Sequence, residues 1–238
     1  MNLADIMRRG ASDMGIAMTD AQAEQFEKYH ALLIEANRKM NLTRVPEDAR
    51  ESADRNYLDS IAPLSHPFPR ASRAVDVGSG AGFPGIPMSI MLPGTRFTLM
   101  DSLDKRVAFL QSVIDALGLN AEAVHLRAEE AGRLPEYREG FDLAVARAVA
   151  PMNVLSELML PLIRVGGHML AMKGPGLDEE MQASEGAIAL LGGRIDRVEA
   201  LPLPGRDWDH RAAWVAKTAP TPDKYPRKPG IPAKRPLA

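Results

Sequence analysis

Two acidic residues and a run of glycines are the parts of this chain best suited to chemistry. The stretch AVDVGSGAGFPGIP, residues 74 to 87, holds two nucleotide-binding fingerprints in overlapping frames. From Gly80 it reads Gly80-x-Gly82-x-x-Gly85, a dinucleotide pattern. From Asp76 it reads Asp76-x-Gly78-x-Gly80-x-Gly82, the pattern of a site for S-adenosylmethionine. In the dinucleotide frame the strand should run directly into the first glycine, yet Gly78 and Ser79 separate Gly80 from the apolar run. Shifting that frame to Gly78 puts Phe83 where the third glycine belongs. A carboxylate beside the turn repels a pyrophosphate but accepts hydrogen bonds from an ammonium, so Asp76 favours the methyl donor. Asp101 ends the next apolar run, where an acidic side chain commonly binds ribose hydroxyls, and it fits either cofactor.

These residues need a scaffold that delivers them to one edge. Short apolar runs near residues 73–77, 96–101, 122–126, 141–146 and 166–172 alternate with helical periods, the sign of βαβ units around a mostly parallel sheet. Segments 194–201 and 211–217 have no helix between them, which predicts an antiparallel C-terminal hairpin and seven strands in all. Arg147 then ends a strand at the edge where open α/β sheets bind ligands. Lys173 follows the next strand before Gly174, and Arg211 begins the hairpin's second arm. Pro84 and Pro87 suit a first helical turn, whose N–H groups have no intrahelical partner.

Upstream, Thr19 and Asp20 cap an amphipathic helix to about Met40, with Phe26, Tyr29, Leu33, Ala36 and Met40 in its stripe. Shorter helical segments fall at Leu3 to Met14 and Tyr57 to Leu64, before the proline cluster PLSHPFPR marks a boundary. The expected organisation is a helical subdomain at 1–68, a cofactor-binding domain at 69–218 and a tail at 219–238. The tail holds six prolines, five Lys or Arg and one acid, and its proline content predicts neither helix nor inner strand.

At 238 residues, 45% apolar and 25% charged, the chain has the proportions of a globular protein. It lacks cysteine, which excludes disulfides, Cys-ligated zinc and thiol nucleophiles. No stretch reads as a signal peptide or reaches the roughly 18 apolar residues of a membrane span, so the cytosol is the expected compartment. The histidines at 30, 66, 125, 168 and 210 show no metal-ligand spacing and read as structural or exposed; no metal is expected.

Taken with MNLTRV (40–45), DSLDKRVAFL (101–110), RAEE (127–130), ARAVAP (146–151), MKG (172–174) and YPRKPGIPAKRPL (225–237), the glycine turn with its prolines resembles the bacterial RsmG, or GidB, family. The resemblance implies a Rossmann-like class I methyltransferase fold that modifies guanine N7 in the 530 loop of 16S rRNA, with S-adenosylhomocysteine as product. It places cofactor contacts on Gly78, Phe83, Ala128, Glu129 and Arg147; the charge argument adds Asp76 and Asp101, with Gly80 and Gly82 completing the turn. One departure is visible: the family usually has Arg-His before Leu-Asp-Ser, and this chain has Arg55-Asn56-Tyr57-Leu58-Asp59-Ser60. Asn56 keeps a hydrogen bond but no titratable charge.

Guanine N7 carries an in-plane lone pair and no proton, so in-line displacement at the sulfonium methyl requires no general base. Arg147, Lys173 and Arg211 are accordingly expected to position rather than to transfer protons. RNA phosphates are assigned to Arg44, Arg55, Lys224, Arg227, Lys228, Lys234 and Arg235, and Asn41 with Thr43 to the substrate side. The partner is 16S rRNA, the small subunit or an assembly intermediate, and the chain is taken as a monomer. Three other readings stay open: a methyltransferase for a small molecule or protein, a nicotinamide-dependent oxidoreductase using the Gly80 frame, and a ribosome assembly factor without transferase activity.

Overall fold

The computed structural model describes every residue except Met1, Asn41, Arg44, Val45 and Glu47. Seven strands form one sheet: β1 (Arg73–Val77), β2 (Arg96–Asp101), β3 (Ala121–His125), β4 (Phe141–Arg147), β5 (Ile163–Lys173), β6 (Gly193–Ala200) and β7 (Arg211–Lys217). Their order is β3-β2-β1-β4-β5-β7-β6. The first five strands pair in parallel, while β7 runs antiparallel to both β5 and β6. The expected hairpin therefore forms, and its second arm inserts between β5 and β6.

Alternation along the strands assigns side chains to two faces. Leu143, Val145, Leu170, Met172, Ala212 and Trp214 share one buried cluster, whereas Ala144, Ala146, Met169, Ala171, Ala213 and Val215 belong to the other. Both faces are covered, as a parallel sheet requires. The first is covered by α1 (Leu3–Asp13), α2 (Asp20–Met40), the helical segment at 49–65, α5 (Gly85–Met91) and α6 (Asp104–Leu117). Met7, Phe26, Tyr57 and Ile61 of the N-terminal helices lie in the same cluster as Leu99 and Leu143. The second face carries α7 (Ala128–Ala131), α8 (Met152–Met159) and α9 (Leu177–Leu190).

Local signals account for several ends. Asn2 caps α1, its side chain accepting from the Asp5 N–H at 2.8 Å. Gly118 closes α6 in the left-handed region, with φ of 62°. The helix expected at 57–64 starts earlier and changes pitch: α3 (Ala49–Ser52) runs into a π turn at Ala53–Leu58, then α4 (Asp59–Ile61) and a 3-10 turn at Ala62–Ser65.

The tail corrects one expectation. Ile231–Lys234 forms a helical turn, α10, with Pro232 in its first turn, where a missing N–H costs nothing. The segment lies against α7 to α9. Tyr225 is buried in the second core cluster, the Asn153 amide donates to the Leu237 carbonyl at 3.2 Å, and the Ala238 backbone abuts Gly186.

Candidate active site

Register brings the expected residues to one edge. Val77 pairs with Met100, Asp101 with His125, Arg147 with Met172 and Lys173 with Arg211. The C-terminal ends of β1, β2, β4 and β5 and the start of β7 therefore meet where the strand order reverses, the switch point at which open sheets bind ligands.

The glycine turn crosses this edge with Gly78, Gly80 and Gly82 all at positive φ, 75°, 60° and 107°. A Cβ on Gly82 would lie 2.6 Å from the Tyr29 hydroxyl, which donates to the Ala81 carbonyl at 2.6 Å. A Cβ on Gly85 would lie 2.5 Å from an Asp76 oxygen, so Gly85 lets the helix start close over the strand. Asp76 is fully buried beneath the turn. One of its oxygens accepts from the Gly85 N–H at 2.9 Å, and the other has no partner. Burial pushes its carboxyl up to about 7, against the opposing pull of the Ser79 hydroxyl nearby and of the Gly85 N–H. An unpartnered buried carboxylate oxygen favours a donor, and a cationic amine above all.

Asp101 accepts from the N–H groups of Gly80 and Leu103, each at 2.9 Å, which locks the turn to the end of β2. With Gly78, Arg106, Ala128, Glu129 and Val149 it lines a cavity of about 350 Å³. Arg106 and Val149 lie within the runs DSLDKRVAFL and ARAVAP but are not among the site residues expected from sequence. Asp76, Gly80, Gly82 and Phe83 build the turn from beneath and beside it without lining this cavity. Phe83 packs against both Tyr29 and Tyr57, which also touch each other, and the Arg147 guanidinium lies 4.9 Å from its ring centre. The Glu129 carboxylate points at the tail, accepting from the Gly230 N–H at 2.9 Å.

A second cavity of about 370 Å³ adjoins the first, with Ala148 lining both; Arg55, Asp59, Arg147, Lys173 and His210 line it as well. Ala148 takes a positive φ of 56°, a costly conformation for a residue with a Cβ. Arg147 lines the second cavity and Val149 the first. The Arg147 guanidinium donates to Asp59 at 2.7 Å and to the Arg55 carbonyl, in the π turn, at 3.1 Å. His210 Nδ1 sits 2.7 Å from the other Asp59 oxygen. Burial alone would raise the Asp59 carboxyl, but the bonds from His210 and Arg147 outweigh it and hold the group below its ordinary value. The same bond to Asp59 raises His210, against the opposing effect of burial. Sequence reading missed this pair: Asp59 lies in the run Arg55–Ser60 and His210 reads as structural or exposed, and nothing in the chain shows that two residues so far apart in sequence meet.

Lys173 donates to the Ala150 carbonyl at 2.6 Å and to Glu180 at 2.7 Å, and Glu180 also accepts from the Met152 N–H, so the lysine fixes the loop after Arg147. Arg211 lines neither of these cavities; it bonds both oxygens of Asp178 at 2.9 Å and lies 3.2 Å from Asp209. Asn56 turns its amide toward Ser52 at 3.4 Å. The imidazole in this cavity is that of His210.

The expected RNA cations separate. Arg55 is partly exposed beside the second cavity, and Lys224, Lys228, Lys234 and Arg235 are exposed on the tail. Arg227 turns inward instead: its guanidinium and backbone N–H make contacts of 2.6 to 3.1 Å with Glu157, which is fully buried. Arg44 and Asn41 lie outside the described residues. Among the described residues no cluster of three or more His, Asp or Glu could hold a metal, and no helix is long and apolar enough to cross a membrane.

Comparison with known proteins gives concordant results. Residues 22–206 match the family model described as GidB, rRNA small subunit methyltransferase G. A curated protein of Pelotomaculum thermopropionicum named ribosomal RNA small subunit methyltransferase G is 45% identical, with 99% of each chain covered. One of the same name from Alkaliphilus oremlandii is 44% identical over 100% of both chains. Among solved structures, Aeropyrum pernix fibrillarin in complex with S-adenosyl-L-methionine superposes with a TM-score of 0.53 at 19% identity, covering 69% of this chain and 76% of that one, a likeness of fold.

Proposed function

The chain belongs to the GidB family, rRNA small subunit methyltransferase G, and from that premise we propose that it transfers a methyl group from S-adenosylmethionine to guanine N7 in the 530 loop of 16S rRNA. The observation that carries the reading is the pair of cavities joined at Ala148 on the switch-point edge. The first, between the glycine turn, Asp101 and Ala128–Glu129, takes the methyl donor. The second, walled by Arg147, Lys173, Asp59 and His210, takes the base.

The residues present fit the donor. Asp101 lines the first cavity, where ribose hydroxyls bind, and the unpartnered Asp76 oxygen, buried under the glycine turn beside that cavity, is suited to an ammonium. S-adenosylmethionine, when bound, supplies an electrophilic methyl. The chain's own work is alignment, worth about 7 to 11 kcal/mol at best when reacting atoms are held in near-attack geometry. Arg147 is braced by Asp59, the Arg55 carbonyl and the Phe83 ring, and Lys173 by Glu180 and Ala150, so neither needs to reorganise during transfer. Their charges are balanced by Asp59 and Glu180. A base that becomes cationic on methylation therefore meets little net repulsion.

Tail residues Lys224, Lys228, Lys234 and Arg235 hold RNA phosphates, and Arg55 contacts the RNA at the mouth of the second cavity. Residues 1–68 form the helical cover and 219–238 the strap, and the protein works as a cytosolic monomer on the small subunit or an assembly intermediate. The test is transfer from labelled S-adenosylmethionine onto small-subunit RNA and 30S particles from cells lacking the modification, followed by mapping of the base. Label at guanine N7 of the 530 loop is expected. Label on an exocyclic amine refutes the N7 chemistry, and no incorporation into either substrate refutes the reading as a whole.

A further inference from the structure

Of the two tryptophans, Trp214 is fully buried under Phe68, whereas Trp208 is half-buried in the loop between β6 and β7. That loop is anchored. Leu201 and Leu203 are buried in the core, the Leu201 N–H donates to the His210 carbonyl at 2.7 Å, and Arg206 donates to the buried Asp54 at 2.8 Å. Trp208 is thus held at a fixed place beside a third cavity of about 340 Å³, lined by Arg55, Pro175, Asp207, Trp208, Asp209 and His210. Arg55 and His210 also line the second cavity, so the two spaces are neighbours.

We propose that this third cavity binds a nucleobase flanking the methylated guanine, stacked on Trp208. The inference rests on the reading that the substrate is RNA. Planar groups gather at the Trp208 indole: the His210 ring 5.2 Å from it between centres, and the guanidinium groups of Arg55, which lines the cavity, and of Arg206, which does not, 5.1 and 5.3 Å from the indole centre. Unstacked RNA bases are held on such aromatic and guanidinium planes. The Arg55 side chain is 55% exposed and its ion pair with Glu51, 2.8 Å, is itself at the surface, so it can shift to admit a base between itself and the indole. The carboxylates of Asp207 and Asp209 disfavour a phosphate in this space but accept from the N–H edge of a base. A flanking base with an exocyclic amine therefore fits better than uracil. A guanine reaching a buried methyl donor must leave its stack, and a platform for its neighbour helps to hold that opened state.

The experiment uses the full chain and small-subunit RNA lacking the modification, with initial rates for the unaltered protein, Trp208→Ala and Trp208→Phe. Trp208→Ala is expected to raise KM for RNA about tenfold, the scale of removing one base–aromatic stack. Affinity for S-adenosylmethionine and the melting temperature are expected to stay unchanged, and Trp208→Phe to restore most of the RNA affinity. In parallel, titrating in RNA should quench tryptophan emission, and Trp208→Phe should remove that response because Trp214 is buried. Normal transfer by Trp208→Ala with unaltered KM would overturn the platform while leaving the methyltransferase reading intact. Equal loss of stability in both variants would overturn it in favour of a packing role. Absence of transfer by the unaltered chain would sink both.

Discussion

Asp76 separates the two cofactor frames, and its burial makes that distinction measurable. A carboxyl raised to about 7 when folded, against 3.8 for an ordinary aspartate, stabilises the free protein fully below pH 3.8. That contribution is lost as pH rises through 7, because the folded state holds the proton more tightly. Asp76→Asn should therefore stabilise the cofactor-free protein at pH 8 by on the order of 2 to 4 kcal/mol, and hardly at all at pH 4. Binding of a cationic amine favours the ionised form, so affinity for S-adenosylmethionine should rise about tenfold between pH 6 and 8, half-way near pH 7, and then level off. Calorimetry across that range checks it, and a flat profile would remove Asp76 from the ammonium site. Asp59 works in the opposite direction. Its carboxyl is held low and His210 is held high by their shared bond, so Asp59→Asn should bring the His210 titration downward in NMR and cost about 2 to 3 kcal/mol, since Arg147 loses its buried partner. Asp76, Asp101, Arg147 and Lys173 are legible in the sequence because each sits in or at the end of a strand. Asp59 and His210 are not, because their bond joins chain segments whose approach only the folded sheet defines.

At the scale of elements, the strands fall close to where apolar runs place them, since a buried parallel sheet leaves a plain signal in composition. The tail does not. Its prolines and cations read as an extended basic end, yet Tyr225 enters the core, Pro226 fills the space above Gly132, and Arg227 neutralises Glu157. None of those partners is near the tail in sequence, so composition could not reveal them. The strap also reaches the first cavity through the bond from Gly230 to Glu129. Arg227→Ala leaves the Glu157 charge buried and unpaired, and a loss of about 3 kcal/mol in denaturant unfolding is expected. Replacing Lys224, Lys228, Lys234 and Arg235 by alanine should act differently. These side chains are exposed, so stability should hold while RNA affinity falls. The dependence of that affinity on salt should become shallower, by up to about one unit of slope for each phosphate no longer neutralised. An unchanged salt slope would mean that the tail serves only as a strap.

The whole molecule ties the N-terminal helices to the glycine turn. Tyr29 holds the Ala81 carbonyl, Tyr57 and Tyr29 pack against Phe83, and Met7, Phe26 and Ile61 share a buried cluster with the sheet. Residues 1–68 read in the sequence as a separate helical unit because their periodicity differs from that of the strands, and periodicity says nothing of which face a helix covers. Since the cover and the turn bury each other, unfolding either should expose the other, and one cooperative thermal transition is expected across the chain. A ligand that binds only the folded state must then stabilise all of it at once. At one hundred times its dissociation constant S-adenosylmethionine should add about 2.7 kcal/mol, which for a chain of this size is a rise of about 5 to 10 °C in Tm. NADH at equal concentration should add nothing, because a buried carboxylate under the turn opposes a pyrophosphate there. Scanning calorimetry with each ligand checks both points. A shift with NADH would restore the Gly80 frame, and two separate transitions, only one moved by S-adenosylmethionine, would mean that the helices fold independently of the site they cover.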